Sequence, residues 1–452
     1  MREMTVYAPM GCLGYGFPEH SLQAAMAQRP ALMAVDAGST DPGPYYLGKG
    51  MSYTARDMVK RDLSLLLPAA RAAGIPFLIG TAGGAGGKPH LDWCVEIVKE
   101  VAAEHGLHFP MARIHAELDK ELVKRAVREG RVRDLESGVE LTTEEVDQSV
   151  RIVAQMGHGP LVEAMNQGAE VVVAGRAYDA ALTATLPLVK EYNPGLALHM
   201  GKILECGSLV ALPRESDGAI GVIRDDHFLI SPADPNKYCT VETVAAHTLY
   251  EKSDPVHLHM PGGMLDLSDT RFEKVDDRTV KVSGSRFVPS ETYAIKLEGA
   301  RLVGHRSVCI AGTRDPVMIQ QIDEVMDRVR AKLRRDLAKV ATEQDYRMLF
   351  HLYGKNGVMG KLEPQRTVTS HELGIVIEVI AKTQQLANTV GALARSATLH
   401  QGYEGRVSTA GNLAFLYSPA EFPAPEVYEF NVYHLMEVAD PCEPFRIELE
   451  RV

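Results

Sequence analysis

The strongest constraint on the fold is a repeated order of strand, polar loop and helix in the first 210 residues. Short apolar runs predict strands at Thr5–Ala8, Ala31–Val35, Pro76–Ile79 and Glu170–Ala174. Each run is followed by a Gly-rich or Asp-rich loop and then by a helical pattern. Because strands that alternate with such helices pair in parallel through crossover connections, this part predicts a doubly wound, mostly parallel α/β sheet.

A helix is predicted most clearly at Pro89–His105. Leu91, Val95 and Val98 recur at helical spacing and would form its buried face. Pro89 fits the first turn, where a missing N–H group costs no hydrogen bond, and Gly106 fits the left-handed position after the last turn. The residues at both ends therefore support the same helix as the apolar pattern.

The pattern changes after residue 215. From Ala219 to Ala311, alternating runs rich in Val and Thr predict antiparallel strands. Helices are predicted at Pro316–Leu333 and at Leu373–Leu393, the second broadly apolar and therefore buried. We expect two domains, an α/β domain over residues 1–215 and an α+β domain with antiparallel strands and long helices over residues 216–452, packed on the first.

Composition and charge exclude several classes of protein. Of the 452 residues, 45% are hydrophobic and 24% are charged, which is typical of folded domains and not of disordered chains. The net charge of −11 disfavours nucleic-acid binding, which needs a basic surface. The chain has no long uncharged apolar run and no export signal, which predicts a cytoplasmic protein without a membrane span. Its six cysteines include no CxxC pair, so a zinc ribbon is not expected.

The loop Gly80–Gly87 follows one predicted strand and precedes the helix at Pro89. Five of its eight residues are glycine, which lets backbone N–H groups approach an anion closely. The loop matches neither a Walker loop nor the G-x-G-x-x-G pattern. It therefore predicts a site for a carboxylate or another anion, with an ordinary turn as the alternative. The substrate-binding residues predicted here are Gly80, Thr81, Gly83, Gly84 and Gly86.

The loop Asp36–Pro44 follows the second predicted strand. In open parallel sheets, ligands bind beyond the carboxyl ends of the strands. Ser39 and Thr40 are predicted to donate hydroxyl hydrogen bonds to substrate. Asp41 is predicted to act as a base, with an Asx-turn as its alternative role. The sequence leaves open whether Mg²⁺ or Mn²⁺ binds at Asp41, and it assigns no metal ligand.

The loop Gly175–Ala181 follows the last of these strands. Arg176 is predicted to bind a substrate carboxylate through two N–H groups. Asp179 is predicted to contact the substrate, with capping of the next helix as the alternative. Because the three polar loops follow strands of one parallel sheet, we expect them to meet in one crevice.

The segment His199–Gly207 combines several reactive side chains. If it is helical, His199, Lys202 and Cys206 share one face, and Glu205 lies at the edge of that face. A lysine beside a carboxylate can act as an acid or a base, and a cysteine beside a lysine can act as a nucleophile. The alternative for Cys206 is packing in the core. We expect catalytic residues here at His199, Lys202, Glu205 and Cys206.

Two other patterns do not support a cofactor. His257 and His259 alternate on a predicted strand, so both rings share a face, but no third ligand has a clear spacing. The Gly80 loop lacks the dinucleotide fingerprint, and no acidic residue follows at the position that binds ribose. Neither a histidine metal site nor a nicotinamide cofactor is predicted.

Seven stretches together resemble the acyclic terpene utilisation (AtuA-like) family. The resemblance covers most of the chain and implies an α/β fold and a catabolic role toward branched or polycarboxylic acids or their CoA esters. Some relatives carry a separate small C-terminal ferredoxin-like domain, and the different C-terminal stretch of this chain, Glu429–Val452, leaves open whether a small partner subunit binds. The stretches are GCLGYG (Gly11–Gly16), DAGSTDPGPYYLG (Asp36–Gly48), GTAGGAGGKPHLD (Gly80–Asp92), GRAYDAA (Gly175–Ala181), HMGKILECG (His199–Gly207), PGGMLDLS (Pro261–Ser268) and HELGIVIE (His371–Glu378).

The residues and the resemblance together predict an enzyme that removes a proton next to a carbonyl, a lyase of the hydratase or isomerase type. Arg176 and the amides of Gly80–Gly87 would hold the carboxylate. Asp41 or Glu205 would take the proton, and Lys202 would stabilise the enolate or deliver a proton.

Two alternatives stay open, a hydrolase that uses Cys206 and a non-catalytic subunit that works within a complex. A homo-oligomer is the general expectation for such a chain.

Overall fold

The computed structural model describes residues 2–249 and 254–452. It contains two compact units, Met1–Arg301 with Phe430–Val452, and Leu302–Glu429. This division differs from the expected boundary after residue 215, because strands that follow residue 215 pair within the sheet of the first unit.

The helices of the described residues are given in chain order. They are α1 (Glu19–Ala27), α2 (Pro44–Lys49), α3 (Arg56–Ala73), α4 (Lys88–His105), α5 (Lys120–Arg128), α6 (Thr143–Gln148), α7 (His158–Asn166), α8 (Asp179–Val189), α9 (Pro194–Leu204), α10 (Val241–Thr248), α11 (Pro316–Gln320), α12 (Ile322–Leu337) and α13 (Gln384–His400), with short 3₁₀ turns at Gly207–Val210 and Gly360–Leu362. Within these described ranges, no helix is both long and apolar enough to cross a membrane.

The strands are given in the same way. They are β1 (Glu3–Ala8), β2 (Leu32–Asp36), β3 (Phe77–Gly80), β4 (Pro110–Ile114), β5 (Val132–Asp134), β6 (Arg151–Gln155), β7 (Val171–Ala174), β8 (Ala211–Leu212), β9 (Ala219–Arg224), β10 (His227–Pro232), β11 (Tyr238–Cys239), β12 (His257–Met260), β13 (Gly263–Asp266), β14 (Arg271–Lys274), β15 (Val280–Ser283), β16 (Arg286–Pro289), β17 (Tyr293–Thr313), β18 (Tyr346–Tyr353), β19 (Leu373–Ala381), β20 (Ala414–Phe415), β21 (Glu421–Val438) and β22 (Ile447–Arg451).

The first unit is built on a ten-stranded sheet in the order β14-β15-β10-β9-β1-β2-β3-β7-β4-β22. The central strands β1, β2, β3, β7 and β4 are parallel. Antiparallel strands extend the sheet beyond β1 and beyond β4. The predicted α/β class is therefore confirmed. The antiparallel strands predicted after residue 215 begin with β9 and β10, which pair within this sheet.

The sheet is covered by helices on both faces. Side chains of β3 alternate between two cores, because Leu78 contacts one hydrophobic cluster while Phe77 and Ile79 contact the other. The first cluster includes residues of α5, α7, α8 and α9, and the second includes residues of α1, α3 and α4. This alternation is what a period of two residues requires in a sheet that is buried on both sides.

The helix predicted at Pro89–His105 is confirmed as α4. Pro89 lies in its first turn, and Gly106 follows its last turn in the left-handed conformation with a φ of 61°. The residues that signal the two ends of a helix therefore locate it to within one residue.

The second unit contains β18 and β19, with α12 and α13 packed on one face. The single helix predicted at Leu373–Leu393 is wrong, since Leu373–Ala381 forms strand β19 and α13 begins at Gln384. Burial alternates along β19, with Ile375 and Ile377 facing the helices. The run is rich in β-branched residues, which favour a strand over a helix.

Candidate active site

A cavity of about 900 Å³ lies in the first unit. Five residues predicted from the sequence line it, namely Asp41, Arg176, Asp179, Lys202 and Glu205. Asp41, Arg176 and Asp179 follow the ends of the parallel strands β2 and β7, whereas Lys202 and Glu205 lie at the end of α9. This position agrees with the general rule for ligand sites in open α/β sheets.

Backbone hydrogen bonds join the three loops that follow β2, β3 and β7. The N–H of Ala37 donates to the carbonyl of Gly80 at 2.9 Å, and the N–H of Thr81 donates to Gly175 at 3.0 Å. The N–H of Arg176 donates to the carbonyl of Gly86 at 3.2 Å. The expected meeting of these loops is therefore present, and their own backbones hold it in place.

Glu298 is a buried carboxylate that holds several site residues. One of its oxygens accepts hydrogen bonds from the Thr40 hydroxyl at 2.7 Å and pairs with the Lys296 ammonium at 2.7 Å, and the other accepts from Nε of Arg176 at 2.8 Å. Burial alone would raise the pKa of Glu298. The charges and hydrogen bonds of Arg176 and Lys296 outweigh burial and lower it to about 2. Glu298 is therefore a permanent anion that fixes two cations at the cavity.

Arg176 lines the cavity with a guanidinium that is already engaged. Besides the bond to Glu298, its Nη1 donates to the carbonyl of Ala177 at 3.0 Å and lies 3.4 Å from a carboxylate oxygen of Asp179. The Thr81 hydroxyl lies 3.4 Å from the same nitrogen. These contacts occupy N–H groups of the guanidinium, so fewer are available to bind a substrate carboxylate through two hydrogen bonds than the sequence predicts.

Asp179 is the first residue of α8, and Tyr178 occupies the N-cap position. The capping alternative for Asp179 is therefore wrong. Its side chain is 29% exposed and lines the cavity. Burial raises the pKa of Asp179, although Arg176 and Lys202 partly oppose this effect. A carboxyl with a raised pKa is a better proton acceptor near neutral pH.

Lys202 and Glu205 form a buried ion pair at the wall of the cavity. Burial by itself would lower the pKa of Lys202. The charge and hydrogen bond of Glu205, together with the charge of Asp179, outweigh burial and raise it. Lys202 is therefore an ammonium ion at neutral pH, which can stabilise a developing negative charge but cannot act as a base.

The predicted common face of His199, Lys202 and Cys206 does not form, because α9 ends at Leu204. His199 is buried, with Nδ1 2.6 Å from the Ser285 hydroxyl and Nε2 hydrogen-bonded to a threonine hydroxyl. Burial lowers the pKa of His199 to about 3, so the ring is neutral. It is not among the residues that line the cavity.

Cys206 is half-buried just beyond the end of α9 and is likewise not part of the cavity lining. Burial and the charge of Glu205 raise the pKa of its thiol. A thiol must lose its proton to act as a nucleophile, so this environment does not activate Cys206.

The Gly80–Gly87 loop is buried and contributes no residue to the cavity lining. A Cβ on Gly86 would lie 2.2 Å from the N atom of Arg176, and one on Gly83 would lie 2.4 Å from the carbonyl oxygen of His90. Both glycines have a positive φ. In this structure the glycines allow the backbone to approach other backbone closely, and Thr81 helps to position Arg176.

The remaining predicted residues have local roles in the structure. The Ser39 hydroxyl donates to a carboxylate oxygen of Asp41 at 2.8 Å, and the Thr40 hydroxyl donates to Glu298. Ser39 and Thr40 therefore support charged groups of the site rather than lining the cavity themselves.

A model of the AtuA family, described as acyclic terpene utilisation family protein AtuA, matches residues 53–414. The chain belongs to this family. The family's description, acyclic terpene utilisation, indicates a catabolic role. The matched range contains Arg176, Asp179, Lys202 and Glu298, whereas Asp41 precedes it. No curated protein and no solved structure matches the chain.

Sequence reasoning missed Lys296, which lines the cavity of this AtuA-family chain, and Glu298, which pairs with two cations of the lining. Lys296 and Glu298 alternate on β17 within an otherwise apolar run, and this pair of charges in a predicted buried strand is the signal that could have found them. His257 and His259 on β12 also line the cavity. His257 is hydrogen-bonded through Nδ1 to Asp254 at 3.2 Å.

Whether Mg²⁺ or Mn²⁺ binds at Asp41 depends on the ligands that lie near this residue. Among residues 2–249 and 254–452, no three or more His, Cys, Asp or Glu side chains are grouped so that they could hold a metal ion. Because Mg²⁺ can also bind through one or two carboxylates together with a substrate, metal binding at Asp41 stays a prediction.

Proposed function

We propose that this protein is a catabolic enzyme that removes a proton next to the carbonyl of a carboxylic acid or its CoA thioester. This is chemistry of the lyase type, as in hydratases, or of the isomerase type. The supporting observation is that Asp179, a carboxyl with a raised pKa, and Lys202, a lasting ammonium, line the same cavity. One is suited to accept a proton and the other to stabilise the charge that the proton leaves behind.

The lining of the cavity favours a substrate that has both a charged and an apolar part. Lys296 and Arg176 supply positive charge at one region. Apolar side chains, among them Leu258, Met260 and Leu435, form another part of the wall. A branched acyl chain would bury apolar surface against the second region while its carboxylate or carbonyl lies near the cations.

The proposed step conserves atoms and electrons. Asp179 accepts the proton from the carbon next to the carbonyl, and the electrons of the C–H bond move to form an enolate. Lys202 stabilises the negative charge on the enolate oxygen. If the acyl chain carries a β,γ double bond, protonated Asp179 returns its proton to the γ carbon of the enolate, which is an isomerisation. If the β carbon carries a hydroxyl group, this group leaves as water with the proton from Asp179, which is an elimination.

Asp179 fits the role of base better than the two residues first predicted for it. One oxygen of Glu205 is held by the Lys202 ammonium, and Asp41 is exposed and accepts a hydrogen bond from Ser39. Both still line the cavity, so each can contact a substrate. The hydrolase alternative is not favoured, because Cys206 is outside the cavity lining and burial raises the pKa of its thiol.

The test begins with a ligand search by thermal shift. Branched, hydroxylated and dicarboxylic acids and short CoA esters are screened, with and without Mg²⁺ or Mn²⁺. A ligand at about 100 times its Kd should stabilise the protein by ~2.7 kcal/mol, which is readily detected.

Each ligand found is then incubated in D₂O with wild type, Asp179→Asn and Lys202→Met, and deuterium uptake next to the carbonyl is followed by NMR. Both variants should slow uptake by more than ~100-fold. Lys274→Met, at a lysine whose side chain is 66% exposed, is the matched control and should exchange like wild type. Equal uptake in Asp179→Asn and wild type would refute the proposed base.

A further inference from the structure

A second, water-sized cavity of about 10 Å³ lies at the carboxyl groups of Asp36, Asp179 and Glu205. Its other polar lining residue is Thr183, and the rest of the wall is apolar. This volume is close to the smallest that holds one water molecule. A water in such a place needs two to four polar partners, and the wall provides them.

Two buried polar atoms at this cavity have no hydrogen-bond partner within the protein. They are Oδ1 of Asp36 and the hydroxyl oxygen of Thr183. The other carboxyl oxygen of Asp36 accepts from the N–H of Gly38 at 3.1 Å, so the group is fixed in position at the end of β2. Buried polar groups are almost always satisfied, and two unsatisfied atoms lining one small cavity indicate a bound water.

The charges that act on Asp36 come from several elements. Asp179 on α8 and Glu205 after α9 disfavour a second negative charge, while Arg176 favours it. Asp36 also lies near the thiols of Cys12 and Cys206 and the phenol of Tyr53, and all three of these groups are protonated. Burial and the charge of Asp179 raise the pKa of Asp36 well above its usual range. Two carboxyl groups in one buried site cannot both ionise easily, so one proton stays with the pair.

We propose that a single water in this cavity bridges Asp36 and Asp179, and that the two carboxyl groups share one proton through it. Asp36 does not reach the main cavity and acts only through Asp179, so it is a positioning residue that sets the protonation state of the base. Its part in catalysis rests on the proposed function, whereas proton sharing is a property of the folded protein alone.

Proton sharing between Asp36 and Asp179 predicts a pH dependence of folding stability that can be measured without a substrate. The folded pair keeps its proton above pH 4, where the unfolded chain has lost it, so the folded pair binds more protons and its contribution to stability falls as pH rises. Each pKa unit of elevation corresponds to about a tenfold change in the unfolding equilibrium constant. Asp36→Asn replaces the shared proton by a neutral amide and should remove this fall.

The experiment measures urea unfolding between pH 5 and 8 for wild type, Asp36→Asn, Asp179→Asn and the double variant. Relative to wild type, each single variant should become more stable with rising pH. The effect should be larger for Asp36→Asn, because in Asp179→Asn burial still raises the pKa of Asp36. The double variant should add no further pH dependence, because both residues hold the same proton. Asp217→Asn is the control, since Asp217 is buried but paired with Lys237 at 3.1 Å, and it should only lose stability.

The proposal is overturned if Asp36→Asn and Asp179→Asn keep the wild-type pH dependence, or if their effects simply add. If Asp36→Asn does not fold, Asp179→Asn alone carries the test. Deuterium uptake is measured separately, and its pH profile should shift in Asp36→Asn while KM changes little. If deuterium uptake is absent in wild type as well as in the variants while the stability result is as predicted, the proposed function is refuted and proton sharing is still supported.

Discussion

Glu298 should be the carboxylate on which the stability of the candidate site depends most. Arg176 and Lys296 lower its pKa from a usual 4.5 to about 2, although burial alone would raise it. At ~1.4 kcal/mol per unit, this corresponds to roughly 3 kcal/mol of folding stability. Because the folded pKa is lowered, that contribution is fully present above pH ~4.5 and is lost as the pH falls through about 2.

The perturbation is Glu298→Gln, which keeps the shape of the side chain and removes its charge. The side chain of Arg176 is 4% exposed and would keep only the longer contact with Asp179, at 3.4 Å. The side chain of Lys296 is 21% exposed and would lose its carboxylate partner at 2.7 Å. Breaking a buried ion pair from one side costs ~3–5 kcal/mol. The variant should therefore be less stable than wild type by about that amount at pH 7, as measured by urea unfolding.

The pH dependence distinguishes this explanation from a simple packing defect. As the pH falls from about 5 toward 2, wild type loses its advantage and the difference between the two proteins should close. Glu145→Gln is the matched control, because Glu145 also pairs with an arginine, at 2.8 Å to Arg301, but both side chains are 31% exposed. That change should cost less than ~1 kcal/mol. A Glu298→Gln protein within 1 kcal/mol of wild type at pH 7, or a difference that stays constant in acid, would refute the reasoning.

Two further outcomes are expected at residues outside the cavity lining. His199→Phe should cost ~1–3 kcal/mol in urea unfolding without changing ligand affinity, because it removes the ring partner of the Ser285 hydroxyl and one of the two hydrogen bonds of the Thr248 hydroxyl. Weakened binding with unchanged stability would contradict this assignment. Cys206 should react with iodoacetamide much more slowly in the folded protein than in urea, because burial raises its pKa. Mass spectrometry of the labelled protein checks this, and fast labelling of folded Cys206 at pH 7 would restore the hydrolase alternative.

The central sheet could be predicted because its signals are local. The runs at Thr5–Ala8 and Pro76–Ile79 are short and apolar, and each is followed by a loop and a helix. Pro89 and Gly106 locate the ends of a helix by their own backbone preferences. Once strands and helices alternate, the parallel sheet and the position of the candidate cavity follow from general rules of connection.

The Gly80–Gly87 loop shows where such local reasoning stops. Glycine permits a close approach of the backbone to any group, whether a bound anion or another stretch of chain. Here the neighbour of Gly86 is the backbone of Arg176, distant in sequence. Sequence can predict that something lies close to these glycines, but only the tertiary structure shows what it is.

Glu298 could not be predicted for a related reason. It lies 122 positions from Arg176, and the two meet only when β17 and the loop after β7 are in place. The misassigned helix at Leu373–Leu393 has a different origin, because an apolar run suits both a buried helix and a buried strand. The period of two along β19 and its β-branched residues decide for the strand.

In the proposed reaction, the charges around the cavity link proton removal to charge stabilisation, as follows from counting them. Arg176 and Lys296 carry two positive charges, and Glu298 supplies one negative charge, so one positive charge remains for other anions. Ionised Asp179 and a substrate carboxylate both compete for it. When Asp179 takes the substrate's proton, it becomes neutral and this competition ends. The positive charge and the Lys202 ammonium then act on the enolate more strongly than on the bound substrate, and only such a difference between the two states accelerates a reaction.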